Sequence, residues 1–148
     1  MQSSVLEVPA LLESLEAIGQ FVKGIAAGAG LDGSAAYRLR LAVDEIATNI
    51  IGYAYSNAAL GGTIKVTGQV TKTQAIIVLI DGGQAFDPLA NLPAPDELTK
   101  PLEVRRIGGL GIFLATTGVD GFSYERVRNR NCNRFAMDRA RNLDGDVN

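Results

Sequence analysis

Three short clusters in this 148-residue sequence hold residue types that could do chemistry together. The first lies in Leu41–Tyr55, LAVDEIATNIIGYAY, which is apolar nearly all round yet carries Asp44, Glu45, Thr48 and Asn49. On a helix, Glu45 and Asn49 project from one face, one above the other, so both would point into the same pocket. Inside an apolar helix a carboxylate and an amide cost free energy unless partnered, and a bound metal with its phosphate ligands would satisfy both. The same pair serves a capping or helix-packing network equally well, and on spacing alone that outcome is the commoner one.

The second cluster is IDGGQAFDP, residues 80–88, where an apolar strand stops at Asp81 and two glycines follow. A carboxylate at a strand end can accept a hydrogen bond from an exocyclic amine such as that of adenine, and glycine lets backbone approach a flat ring. Taken alone, Asp-Gly-Gly is also an ordinary turn. The third cluster is GGLGIFLATTG, residues 108–118, in which Gly108, Gly109 and Gly111 run into a short helix. Unpaired N–H groups and the helix dipole make such a start an anion site. It lacks the Gly-Lys-Ser/Thr ending of a P-loop. It also lacks the third glycine and the preceding apolar strand of a Rossmann turn.

The elements that must position these clusters follow from periodicity. Ser4–Val8 reads as a short strand. Pro9 reads as the first turn of a helix to about Ala27, with Leu11, Leu15, Ile18, Val22 and Ile25 at helical spacing. Gly28 and Gly30 interrupt it, and Asp32 and Ser34 offer capping oxygens to a second helix from about Ala35 to Tyr55. Ser56–Gly62 reads as a turn. Thr63–Val70 and Gln74–Ile80 are rich in β-branched residues and read as paired strands, the second apolar enough to be central. From Gln84 to Ile107, Pro88, Pro93, Pro95 and Pro101 deny regular structure, and loops of that length in a compact domain are usually lids or disordered. A short helix to about Thr117 and a hairpin of Gly121–Val127 with Asn131–Asp138 complete the chain. One domain spanning 1–148 accounts for the whole.

Composition narrows the chemistry. With no histidine, a Ser-His-Asp triad, a Cys-His pair, a histidine-ligated metal and a phosphohistidine on this chain are excluded. The single cysteine, Cys132, can form no internal disulfide, which suits a reducing compartment. A formal net charge of −2 and a pI near 5.1 remove the positive field that non-specific nucleic-acid binding uses, so no direct nucleic-acid partner is expected. Eight of the ten arginines lie in the last third of the chain, where they read as the solvated face of a hairpin. No signal-like N-terminus and no apolar run of membrane-spanning length is present, and a cytoplasmic location is expected.

The ordered set of all three clusters resembles the N, G1 and G2 boxes of the GHKL ATPases. The matching parts are the helix with Glu45 and Asn49, the Asp81 and Gly83 turn, the proline-rich lid of about 84–107 and the Gly109-Leu110-Gly111 loop. The Phe86-Asp87-Pro88 continuation, the short lid and the GGLGIFL form are most similar to the anti-sigma-factor serine/threonine kinases. The resemblance implies an α/β architecture of the Bergerat type, an α+β two-layer sandwich with three helices over one face of a mixed, mainly antiparallel sheet. It implies ATP and Mg²⁺ as ligands, with Asn49 on the metal, Asp81 on the adenine amine, and Gly83 making room for the base. Gly109 and Gly111 would lend amides to the phosphates, and Phe86, Gly108 and Leu110 would complete the nucleotide pocket. Glu45 would be the general base toward a serine or threonine hydroxyl, and Arg105, with Arg106, would neutralise the γ-phosphate. The implied partners are an anti-anti-sigma protein of the STAS type as substrate, a sigma factor that is sequestered, and a second copy of the chain in a homodimer. Ala85 departs from the pattern, standing where many relatives carry a second glycine, which implies a stiffer turn. Two other readings stay open: a nucleotide-gated partner switch without phosphotransfer, and the ATPase part of a histidine-kinase system whose acceptor is on another chain.

Overall fold

Alternation of period two builds the sheet. In β2 (Thr63–Val70) the buried positions are Ile64, Val66, Gly68 and Val70. In β3 (Gln74–Asp81), Ala75, Ile77, Leu79 and Asp81 share the covered face, and Ile76 is buried as well. Strand residues point alternately to opposite faces, so each row of inward side chains is set by the pleat. The computed structural model describes residues 2–54, 62–91 and 109–140. Among these, five strands form one sheet in the order β1-β2-β3-β5-β4, with β1 at Gln2–Pro9, β4 at Gly121–Val127 and β5 at Arg130–Asp138. All four pairings are antiparallel.

Three helices cover one face. The helix α1 (Leu15–Gly28) and α3 (Gly109–Gly118) flank α2 (Gly33–Asn49), which packs on both. Ile18, Val22, Leu39, Val43, Ile46 and Ile112 meet Ile64, Val66, Ile77, Leu79, Phe135 and Met137 in one core. Each large apolar side chain so buried contributes about 1.5–3 kcal/mol relative to exposure. Gly68 lets α1 approach β2, because a Cβ there would lie 2.5 Å from Ile25 and 3.1 Å from Phe21. The Asp32 side chain accepts from the Ala35 N–H at 2.8 Å and starts α2. It thereby satisfies one of the amides that a helix start leaves unpaired. This is the two-layer α+β sandwich that the resemblance implies, with no parallel pair among the described strands.

Three local readings are corrected. Pro9 does not open a helix: it is the last residue of β1, paired with Thr63. An edge strand tolerates proline because its outward N–H is not needed in the ladder. A 3₁₀ turn at Leu12–Ser14 then precedes α1, and Leu11 is half exposed rather than part of the apolar stripe. The second helix is α-helical only to Asn49, after which Ile50–Ala54 form a wider π-helical turn. Ser34 does not cap; Asp32 does. No helix among the described residues is long and apolar enough to cross a membrane. The expected turn at 56–62 and the lid beyond Asn91 lie largely outside the described residues.

Candidate active site

Asp81 occupies the next inward position of β3 after Leu79, so the pleat that builds the core also sends a carboxylate into it, with only 2% of the residue exposed. Its Oδ2 accepts from the Gly83 N–H at 3.0 Å and from Asn131 Nδ2 at 3.0 Å. Its Oδ1 is buried and has no hydrogen-bond partner. Burial pushes the Asp81 carboxyl above the usual range, opposed by the Asn131 and Gly83 hydrogen bonds and by the Arg126 charge. A buried acceptor left unmatched costs about 1–3 kcal/mol, here as at Asn133 Oδ1, so Asp81 Oδ1 can take a donor that arrives from outside. An exocyclic amine fits it.

Sequence reasoning passed over the residues that hold this carboxylate. Asn131 faces Asp81 directly in the β3–β5 register and is itself 2% exposed. Its Nδ2 also donates to the Gln84 carbonyl at 3.0 Å, and its Oδ1 accepts from the Phe86 N–H, from Arg126 Nη1 and from the Tyr124 hydroxyl. Arg126 donates further to the Gly83 carbonyl at 2.9 Å. The signal lay in β5, where Asn131 and Asn133 precede Phe135 and Met137 on the core-facing side, polar residues at positions a strand fills with apolar ones. The arginines of this region are accordingly not all solvated hairpin face. Arg126 pins the loop after β3, and Arg139 donates to the carbonyls of Ala29 and Thr71 at 2.9 Å and 2.6 Å.

On α2, Glu45 and Asn49 behave differently from one another. Asn49 is buried, and its Nδ2 donates to the Glu45 main-chain carbonyl at 2.8 Å, one turn back. That bond commits the nitrogen, and among the described residues no hydrogen bond reaches Oδ1, which leaves the oxygen as the atom to offer a hard cation. The Glu45 side chain instead reaches α3: a Cβ placed on Gly111 would overlap Glu45 Oε1. Partial burial raises the Glu45 carboxyl above its ordinary value, with the neighbouring Asp44 charge adding to the effect. Gly109, Leu110 and Gly111 form the first turn of α3, whose amides have no partner within the helix. The same helix packs against the 3₁₀ turn Pro88–Asn91 that follows Phe86, and Phe86 packs half-buried on the core.

The structure therefore gathers two groups: Asp81, Gly83 and Phe86 around Asn131, and Glu45 with Gly111 across the α2–α3 contact. Arg105 and Gly108 lie outside the described residues. Among the described residues no cluster of three or more metal-ligating carboxylates or thiols exists. A cation here would depend on Asn49 and on oxygens a ligand brings, which is the manner in which Mg²⁺ binds with substrate phosphates.

Compared with known proteins, residues 8–137 match the Histidine kinase-like ATPase domain. The chain belongs to this family of ATPase domains, and its two-layer α+β sandwich is consistent with that membership. Among its relatives is the serine-protein kinase RsbW of Halalkalibacterium halodurans, 32% identical over 117 residues, or 78% of this chain and 70% of that protein. The serine-protein kinase RsbW of Listeria innocua is likewise 32% identical over 78% of this chain and 74% of its own length. The RsbW of Bacillus cereus is 27% identical over the same share of the chain.

Proposed function

We propose that this protein is an ATP- and Mg²⁺-dependent serine/threonine kinase of the anti-sigma type, which phosphorylates a STAS-type antagonist and sequesters a sigma factor when that antagonist is absent. The observation that carries the reading is the placement of the Glu45 carboxylate against Gly111, in the first turn of the glycine-started helix α3. A proton acceptor is thereby held beside backbone amides suited to phosphate. The names of the relatives support serine as the accepting residue.

In this reading Asp81 Oδ1 accepts from the exocyclic amine of adenine, which removes the unmatched acceptor. Gly83 holds the other carboxylate oxygen through its N–H, so the two oxygens have separate tasks. Asn49 contributes its Oδ1 to the cation. The amides at the start of α3 face the phosphates, and Phe86 gives the pocket an apolar wall. Mg²⁺·ATP, when bound, supplies the phosphoryl group and neutralises the charge that develops on it. Glu45 accepts the proton of the substrate hydroxyl at a carboxylate oxygen. Its raised affinity for a proton, produced by burial and Asp44, makes it a better base once ionised.

The test is incubation of the protein with Mg²⁺·ATP and a STAS-type antagonist, followed by mass spectrometry of the antagonist. A phosphoserine or phosphothreonine formed by the parent and lost in Glu45→Ala, with nucleotide binding retained, is the expected result. Equal transfer by Glu45→Ala removes Glu45 from the role of base.

A further inference from the structure

We propose that Asn131 is a positioning residue for base selection: by fixing one oxygen of Asp81, it leaves the other as a lone acceptor that admits an amino-bearing base edge and rejects a carbonyl-bearing one. This rests on the nucleotide reading above and goes beyond it, because it assigns the selectivity to a residue on a different strand that need not touch the ligand.

The argument starts from the capacity of an amide. An asparagine side chain has two N–H donors and one acceptor oxygen. In Asn131 both donors are used, one on Asp81 Oδ2 at 3.0 Å and one on the Gln84 carbonyl at 3.0 Å. The oxygen takes the Phe86 N–H at 3.3 Å, Arg126 Nη1 at 3.0 Å and the Tyr124 hydroxyl. Two acceptors on one side and three donors on the other fix which way the amide faces; a flipped side chain would set donor against donor and acceptor against acceptor. Asp81 then has no freedom to rotate its carboxylate. Oδ2 is filled by Gly83 and Asn131, and Oδ1 remains the buried, unmatched atom.

The same side chain holds the loop. Gln84 and Phe86 are tied to Asn131, and Gly83 is tied to Arg126, which is tied to Asn131. The backbone after β3 is therefore clamped to β5 through a single amide. Its place in the sheet is set by the β4–β5 hairpin, whose turn residues Arg128 and Asn129 both adopt positive φ, 52° and 63°. That two-residue turn matches the twist of the strands and puts Asn131 opposite Arg126 on one side and Asp81 on the other. A base that presents a donor to Oδ1 completes the network. A base with a carbonyl at that position sets two acceptors against each other in a buried site, and nothing nearby can turn to relieve the contact.

The test compares ADP with IDP, which differ at this edge by an amine against a carbonyl, by calorimetric titration of the parent, Asn131→Asp and Arg126→Met. Circular dichroism establishes that each is folded. The parent is expected to prefer ADP by about tenfold or more. Asn131→Asp keeps the size of the side chain and its acceptor oxygen but removes the donor to Asp81 and sets two carboxyls side by side, which then share a proton. Its ADP preference is expected to collapse to about threefold or less, with IDP affinity nearly unchanged, and the pH dependence of the ratio is expected to shift from the parent's. Arg126→Met lies at an exposed position and carries the test should Asn131→Asp not fold; a fall of the ratio by about two- to fivefold is expected. If either folded variant weakens both nucleotides equally and keeps the parent's ratio, Asn131 is only a structural support and the proposal is wrong. If the parent itself does not distinguish ADP from IDP, the Asp81 assignment fails first, a result separable from the failure of Asn131.

Discussion

The Glu45 carboxylate occupies the space into which a side chain at position 111 would project, so α2 sends a carboxylate against the first turn of α3. Glycine at 111 thus leaves room for a neighbouring side chain, quite apart from the phosphate contacts a glycine-rich helix start offers.

This relationship predicts a coupled pair. Gly111→Ala places a methyl group where Glu45 Oε1 lies and forces the end of that flexible side chain aside, at a cost of up to about 1 kcal/mol that alanine's higher helix propensity partly offsets. In a Glu45→Ala background the space is vacant and the cost falls to a few tenths of that. A double-mutant cycle by denaturant unfolding measures it, and additive effects of the two substitutions would contradict the contact.

The raised Glu45 carboxyl predicts how turnover depends on pH. Only the ionised carboxylate can take the hydroxyl proton, so the phosphotransfer rate rises with pH through a midpoint above the usual carboxylate range. Replacing Asp44 by Asn removes the second cause of the shift, and the midpoint moves down. A rate profile that is flat across that region, or a midpoint unmoved in Asp44→Asn, counts against Glu45 as the base. The same shift has a sign for stability. A carboxyl whose folded pKa lies above its unfolded value binds more protons in the native state. It therefore destabilises the free protein as pH rises from the unfolded pKa through the folded one. Glu45→Gln removes that loss.

Asn49 offers an oxygen to the cation while its nitrogen is bound to the helix. Asn49→Ala is therefore expected to abolish the Mg²⁺ enhancement of ATP binding while leaving metal-free binding within about threefold of the parent. Titration with and without Mg²⁺ decides it. An undiminished Mg²⁺ effect in the variant removes Asn49 from the cation.

The hairpin turn offers a prediction independent of ligands. Asn129 sits at φ 63°, a conformation glycine adopts without penalty. Asn129→Gly is expected to leave stability unchanged or raise it by up to about 1 kcal/mol, whereas Asn129→Val is expected to lower it by about 1–2 kcal/mol. Thermal unfolding of both variants checks the sign.

Much of the fold was legible because its signals are local. The β-branched residues of Thr63–Val70 and Gln74–Ile80 and the spacing of Ile18, Val22 and Ile25 are patterns within a single element. Pro9 misled because a proline suits both a helix start and the end of an edge strand, and only its pairing with Thr63 decides between them. Asp81 stood out as a carboxylate ending an apolar strand, and Gly111 as part of a glycine run. Asn131 did not, since as the first residue of the strand 131–138 it reads as a strand end beside a hairpin, and its only local mark is that it shares the core-facing row with Asn133, Phe135 and Met137. Its partner is set by the pairing of β5 with a strand fifty residues earlier, which the local pattern does not name. Arg126 was hidden for the same reason: its exposure suggests solvent, and its partners lie on the far side of the sheet pairing.

The central claim is that Asp81 Oδ1 waits for the amine of adenine. Isothermal titration of the folded protein with a non-hydrolysable ATP analogue in the presence of Mg²⁺, repeated on Asp81→Asn, tests it most directly. Saturable binding by the parent, weakened at least about tenfold in Asp81→Asn with a much smaller loss for the inosine counterpart, is the predicted result. A folded parent that binds no nucleotide, or an Asp81→Asn variant that binds the adenine analogue as tightly as the parent, contradicts the account.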